Sequence, residues 1–131
     1  MAWEPTAETN KLTEEIIGAA IEVHRVLGPG LLESVYESAM CVELTMRGVP
    51  FVRQPAVDLS YKGQVVGTGR LDLLVADQVV VELKAVDALT EVHKAQVISY
   101  LRTTGHHLGL LINFNVRLLR DGVKRFISSQ A

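Results

Sequence analysis

The sequence LDLLVADQVVVELK, residues 71–84, decides the fold. Its two apolar runs are rich in Val and Leu, which favours strands, and together they predict a hairpin centred on Asp77. Asp72 and Glu82 each lie five residues from that centre, so they should face each other with Cβ atoms about 4.5–5.5 Å apart. Lys84 should share the face of Glu82, because side chains alternate along a strand. A shift of one residue in register would undo this arrangement.

This arrangement favours a bound cation. Two carboxylates this close repel each other and are partly desolvated by the Val and Leu around them, which should raise at least one pKa. A divalent cation removes the conflict, and oxygen ligands, including the Leu83 carbonyl and waters, suit Mg²⁺ or Mn²⁺ rather than zinc. With Lys84 nearby, the group fits phosphodiester hydrolysis. Spacing alone equally allows a solvated Glu82–Lys84 pair and an Asp72 that caps a bulge.

The rest of the chain predicts one α/β domain with a mixed sheet. Apolar spacing and capping residues predict helices over Thr9–Leu27, Leu32–Arg47 and Thr90–Thr104. Residues 51–83 predict a meander of short strands, and a buried strand should begin at Leu108. The tail, 116–127, predicts a final strand or a hairpin that turns at Asp121-Gly122.

Composition excludes several classes of protein. The chain has 131 residues with 48% hydrophobic and 21% charged side chains, as in globular domains. With a net charge of −2, it lacks the overall basic excess that would bind nucleic acid non-specifically. The single Cys41 fits a reducing cytoplasm, and the apolar runs are too short to cross a membrane. Residues 1–8 predict a flexible N-terminal arm.

Two helices add polar residues that could face the strands. Glu33 is expected one turn inside the second helix, where the helix dipole tolerates a carboxylate. On the third helix, His93, Gln96 and Tyr100 form a polar stripe at helical spacing. Seven basic residues could also form a phosphate-tracking surface, although scattered solvated cations are the default. They are Arg70, Lys94, Arg102, Arg117, Arg120, Lys124 and Arg125.

The chain resembles the GxxExxY proteins of the PD-(D/E)XK nuclease superfamily. Gly30, Glu33 and Tyr36 match the signature of that family, and the similarity runs from about Leu12 to Phe126. It includes Asp72, the triplet Glu82-Leu83-Lys84 and the helix with Gln96 and Tyr100, in the expected order. The resemblance implies a single restriction-endonuclease-like domain over residues 1–131, whose mixed sheet is flanked by helices in the order α-β-β-β-α-β.

The resemblance also implies roles for these side chains. Asp72 and Glu82 would be metal ligands, Lys84 the catalytic lysine and Glu33 a supporting acid. Gln96 would orient the lysine, the water or the phosphate. Three further residues are expected to support the site: Tyr36, His93 and Tyr100. The residue before Asp72 is Leu71, where the superfamily motif has proline.

The leading hypothesis is a Mg²⁺- or Mn²⁺-dependent nuclease in the cytoplasm that cuts nucleic acid, with DNA the favoured substrate. A homodimer is compatible with this function, because one small active domain cuts one strand. Two other functions stay open. A binding module that retains the fold would bind nucleic acid or protein without turnover, and a small-nucleotide phosphohydrolase would act on mononucleotides but not on polymers.

Overall fold

The computed structural model describes residues 2–129 of the chain. These residues contain three α-helices and seven strands. The helices are α1 (Ala7–Leu27), α2 (Glu33–Met46) and α3 (Glu91–Thr104). The strands are β1 (Phe51–Arg53), β2 (Ala56–Tyr61), β3 (Gln64–Arg70), β4 (Leu73–Val75), β5 (Val79–Lys84), β6 (Leu108–Asn113) and β7 (Val123–Ile127).

The main sheet has five strands in the order β1-β4-β5-β6-β7. Only β5 and β6 are parallel among its pairs, and α3 connects them. The order α2, β1, β4, β5, α3, β6 reproduces the predicted α-β-β-β-α-β core, which confirms the fold class. The predicted meander is wrong in one respect. β1 pairs with β4, and β2 pairs with β3 in a separate two-stranded sheet, because pairing between distant strands leaves no mark in the local pattern.

Capping side chains fix the helix boundaries. The Thr90 hydroxyl accepts a hydrogen bond from the His93 N–H, while His93 Nδ1 accepts one from the Thr90 N–H at 3.0 Å. Gly105 ends α3 with a φ of +77°, a left-handed conformation that glycine adopts without strain. The predicted third helix is therefore confirmed at both ends.

The first helix begins earlier than expected, at Ala7. The Thr6 hydroxyl accepts from the Thr9 N–H at 3.1 Å and caps this helix. The Trp3 ring stacks on the His107 ring with centroids 4.8 Å apart. The segment predicted as an arm over residues 1–8 therefore contains a helix cap and a packed aromatic ring, and residue 1 lies outside the described residues.

Apolar side chains cover both faces of the main sheet. The larger core lies between one face and helices α1 and α2, while a smaller cluster joins the other face to α3. Gly109 on β6 allows α3 to pack closely, because a Cβ there would lie 2.8 Å from Val97 Cγ1. None of the helices in residues 2–129 is long and apolar enough to cross a membrane.

The tail forms the predicted last strand without a hairpin of its own. β7 pairs antiparallel with β6. Asp121 and Gly122 lie in a short 3-10 turn, Leu119–Gly122, that leads into β7. The residues expected to form a hairpin turn therefore lead into β7, which runs antiparallel to β6.

Candidate active site

The hairpin of β4 and β5 has the predicted register. Leu73 pairs with Val81, and Val75 with Val79, so the turn is centred on Asp77 as expected. Asp72 lies just before β4, and its Oδ2 accepts a hydrogen bond from the Leu83 N–H at 2.7 Å. The carboxylate thereby takes the place of a backbone acceptor where the pairing of the two strands ends.

Glu82 is a buried acid without a full set of partners. The residue is only 3% exposed, and its Oε1 atom has no hydrogen-bond partner among the described residues. Burial, with the charge of Asp72 and a hydrogen bond from Glu82 to Asp72 as further causes, raises the pKa of Glu82 to about 9. Burial also raises the pKa of Asp72, partly opposed by its hydrogen bonds to Glu82 and Leu83. Partial removal from water therefore favours the protonated form of both carboxyl groups.

Lys84 supplies the positive charge of this site. It is half-buried at the end of β5, on the same face as Glu82 by strand alternation. Its charge lowers the pKa values of Glu33, Asp72 and Glu82, against the larger effect of burial. In residues 2–129, Lys84 forms no close ion pair. Its ammonium group therefore acts on several acids without being bound to one.

Glu33 is the first residue of α2, one turn earlier in the helix than the sequence predicted. Burial raises its pKa, while the charge of Lys84 lowers it and that of Asp72 raises it. These interactions place Glu33 within electrostatic reach of the strand residues. The dipole of α2 favours a carboxylate at this position.

Tyr36 holds the loop that leads to Glu33. The Tyr36 hydroxyl donates to the Gly28 carbonyl at 2.6 Å and accepts from the Leu31 N–H at 3.1 Å. Its ring is fully buried and stacks on Phe114 with centroids 4.5 Å apart. Gly30 in this loop has a φ of +97°, which favours glycine. The structure thus gives Tyr36 a role in positioning the start of α2.

The three predicted residues on α3 have different surroundings. His93 caps the helix through Nδ1, and its charge lowers the pKa of Glu33. Gln96 is half-buried one turn further on, and no hydrogen bond found in residues 2–129 uses its side chain. Tyr100 packs closely against Gly69 of β3. A Cβ added at Gly69 would lie only 3.0 Å from the Tyr100 ring. Tyr100 therefore joins α3 to the β2–β3 hairpin.

Sequence reasoning missed Glu37, which is 6% exposed on α2. One oxygen, Oε2, accepts from Arg53 Nε and Gln54 Nε2, each at 2.8 Å. The Gln54 N–H in turn donates to the Asp72 carbonyl at 2.8 Å. Glu37 therefore supports the backbone of a candidate ligand. Its spacing of four residues from Glu33 was the available signal, since such residues share a helix face.

Asn113 was also missed. It is 2% exposed and pairs with Lys84 across β5 and β6. Its Oδ1 accepts from the Val86 N–H at 3.1 Å, and its Nδ2 donates to the Val86 carbonyl at 2.9 Å. This amide fixes the chain just after the candidate lysine. The signal in the sequence was a polar residue that ends an otherwise apolar strand.

The donor set fits a hard cation. The described residues contain no group of three or more His, Cys, Asp or Glu side chains arranged to hold a metal. Mg²⁺ needs fewer protein ligands, because it commonly binds one or two carboxylates and keeps waters or substrate phosphates as its other ligands. The orphaned Oε1 of Glu82 beside Asp72 is consistent with that type of site.

Comparison with known protein families matches residues 10–126 to the PD-(D/E)XK nuclease superfamily. The chain belongs to this superfamily. PD-(D/E)XK nucleases generally use divalent metal ions, and the superfamily implies a nucleic-acid substrate. Membership in the narrower GxxExxY group stays a prediction from Gly30, Glu33 and Tyr36. No curated protein matches the chain.

Proposed function

We propose that this PD-(D/E)XK domain is a Mg²⁺- or Mn²⁺-dependent nuclease that hydrolyses phosphodiester bonds in nucleic acid. The observation that carries the proposal is the side-chain hydrogen bond between Asp72 and Glu82, a buried acid that keeps an unsatisfied oxygen. Lys84 follows on the same strand face. A purely structural hairpin gains nothing from an acid in its interior with an unsatisfied oxygen, since burying such an atom costs free energy.

In this proposal Asp72 and Glu82 hold the cation through their carboxylate oxygens. When bound, a divalent cation supplies charge neutralisation at the phosphate and a more acidic water. The Lys84 ammonium stabilises negative charge that develops on the phosphoryl oxygens. Glu33 accepts a hydrogen bond from the attacking water and so orients it.

The remaining assignments concern orientation and substrate. Gln96 carries amide donors and an acceptor one turn beyond the start of α3, and we assign it to orienting the water or the phosphate. His93 and Tyr36 support the site indirectly, by capping α3 and by anchoring the loop before Glu33. DNA is the first polymer to test. A homodimer, in which each copy cuts one strand, stays a prediction that sedimentation measurements would check.

The test is a cleavage assay with linear, circular, nicked and single-stranded DNA and with RNA, each with Mg²⁺, Mn²⁺ or EDTA. We expect cutting with a divalent cation and none with EDTA. Asp72→Asn and Lys84→Ala should each lower the rate by about 100-fold or more, because each removes a charge that acts in the transition state. Asp77→Asn is the matched control on the same hairpin, since its side chain is 89% exposed.

Three outcomes contradict the proposal in different ways. Cutting that survives both Asp72→Asn and Lys84→Ala would remove these residues from the reaction. Binding of nucleic acid without turnover on any substrate would favour a binding module. Turnover of mononucleotides without cleavage of polymers would favour a small-nucleotide phosphohydrolase.

A further inference from the structure

An open pocket of about 500 Å³ lies between the end of α1 and the segment that follows β6. This volume is in the range of ligand pockets, about 300 to 1,000 Å³. Apolar side chains and three arginines line it, and we call it the arginine pocket. Its residues are Ile21, His24, Arg25, Arg117, Leu118, Leu119 and Arg120.

The arginine pocket lies toward the same edge of the sheet as the carboxylate pair. β5 and β6 are parallel, and Lys84 pairs with Asn113 at their carboxyl ends. The Phe114 N–H donates to the Lys84 carbonyl at 2.9 Å. Arg117 follows Phe114 by three residues, a length of chain that spans at most about 11 Å. Arg117 is therefore separated by only a short length of chain from Phe114, which is hydrogen-bonded to Lys84.

Both sides of the pocket are held in place. His24 Nε2 forms a hydrogen bond of 2.7 Å with the Val116 carbonyl, which ties the segment with Arg117 to α1. Leu119, at the floor, is only 4% exposed and belongs to the main core. Two other apolar side chains, Ile21 and Leu118, are 47% and 42% exposed. The arginines thus surround a fixed, partly apolar surface.

The charge of the pocket is largely uncompensated. Arg25 is bound to Glu22, but neither Arg117 nor Arg120 forms an ion pair within the described range 2–129. By contrast, Arg53 is paired with Glu37. Acidic side chains at the candidate site repel phosphates, and the chain has a net charge of −2. A polyanionic substrate therefore needs a local group of free cations.

We propose that the arginine pocket binds backbone phosphates of the nucleic acid beside the scissile bond. This inference rests on the proposed nuclease function. The planar guanidinium groups of Arg117 and Arg120 match phosphate oxygens in geometry and charge. Ile21 and Leu118 give a sugar or base an apolar surface to contact. A nucleic acid is favoured over an acidic peptide because the proposed reaction at Asp72 and Glu82 already requires a phosphate polymer as its substrate.

The test measures binding of a fluorescently labelled DNA duplex by anisotropy, in EDTA, over a series of salt concentrations. The double variant Arg117→Ala with Arg120→Ala should bind at least about tenfold more weakly. Its salt dependence, the slope of log K against log salt, should fall by about two, since each phosphate contact contributes about 0.9. The double variant with lysine at both positions should recover part of the affinity.

The matched control is the double variant Lys11→Ala with Lys62→Ala, which removes two exposed cations that neither line the pocket nor belong to the candidate phosphate-tracking surface. An equal loss of affinity in this control would overturn the proposal, because total charge would then explain binding. Unchanged DNA binding by the pocket variant would also overturn it. So would binding of polyglutamate, in place of DNA, that depends on Arg117 and Arg120.

Failure of the pocket and failure of the nuclease function give different results. DNA binding that depends on Arg117 and Arg120, with no cleavage in Mg²⁺, supports the pocket and contradicts hydrolysis. Cleavage that requires Asp72, with binding indifferent to both arginines, supports hydrolysis and contradicts the pocket.

Discussion

Two buried acids, Glu37 and Glu82, lie in contrasting regions of the molecule. Glu37 on α2 is 6% exposed and Glu82 on β5 is 3% exposed. Glu37 accepts hydrogen bonds from Arg53 and Gln54. Glu82 has an unsatisfied oxygen and a second acid, Asp72, as its neighbour.

The difference shows that the hydrogen-bond partners of a buried acid distinguish a supporting residue from a candidate metal ligand. The protein itself supplies a cation and an amide to Glu37, so that region is complete without a ligand. The region of Glu82 is incomplete, because Lys84 reduces the effect of burial without overcoming it. An acid kept in such a place costs stability, which points to a function at that position.

The largest expected effect is on the pH dependence of stability. Glu82→Gln in EDTA should raise the free energy of unfolding relative to the wild type as pH increases. The pKa of Glu82 is about 9 in the folded chain, against its ordinary value of 4.5. Between those values the unfolded wild type loses its proton first, so its stability falls by up to about 1.4 kcal/mol per pH unit.

Urea denaturation from pH 5 to pH 9 measures this difference. The two proteins should differ least near pH 5, and the advantage of the variant should widen as pH rises. At pH 8, added Mg²⁺ should stabilise the wild type more than Glu82→Gln, because the variant lacks one charged ligand. A gap between the two proteins that is constant with pH would show that Glu82 ionises normally in the folded chain.

The opposite result is expected at the other acid. Glu37→Ala should lower the free energy of unfolding by about 1 to 3 kcal/mol, since it removes buried hydrogen bonds to a charged group. Urea denaturation at pH 7 measures this loss. Glu43→Ala is the control on the same helix, because Glu43 pairs with Arg47 nearer the surface. An equal effect of the two substitutions would mean that Glu37 supports nothing beyond its own helix.

A smaller effect is expected at Tyr36. Tyr36→Phe removes the hydroxyl that bridges Gly28 and Leu31 and should lower stability by about 1 kcal/mol. Hydrogen exchange should become faster at residues 28–32, where the loop is released. Tyr61→Phe is the control, because Tyr61 is 62% exposed. If exchange in the loop is the same in both variants, the hydroxyl does not hold it.

The local sequence pattern predicted the hairpin because the residues that pair in it are close together in the chain. The alternation of apolar residues around Asp77 fixes which side chains oppose each other, and the observed pair Leu73–Val81 confirms it. Helix α3 was equally predictable, since its cap, Thr90, and its stop, Gly105, lie at its ends. The grouping of Asp72 with Glu82 followed from that register alone.

Long-range features were less predictable. Nothing within β1 indicates that it pairs with β4 across the intervening β2–β3 hairpin. The polar stripe on α3 predicted a shared face but not that Tyr100 packs on Gly69. The hydrogen bonds to Glu37 come from Arg53, at the end of β1, and from Gln54, just after it.

The side chain of Asn113 binds Val86 through main-chain atoms, the N–H and the carbonyl. Any residue other than proline at position 86 could present the same N–H and carbonyl groups. Position 86 is therefore free to change its side chain while the path of the chain there is preserved. Diversification of position 86, in evolution or by design, need not disturb the strand that carries the lysine.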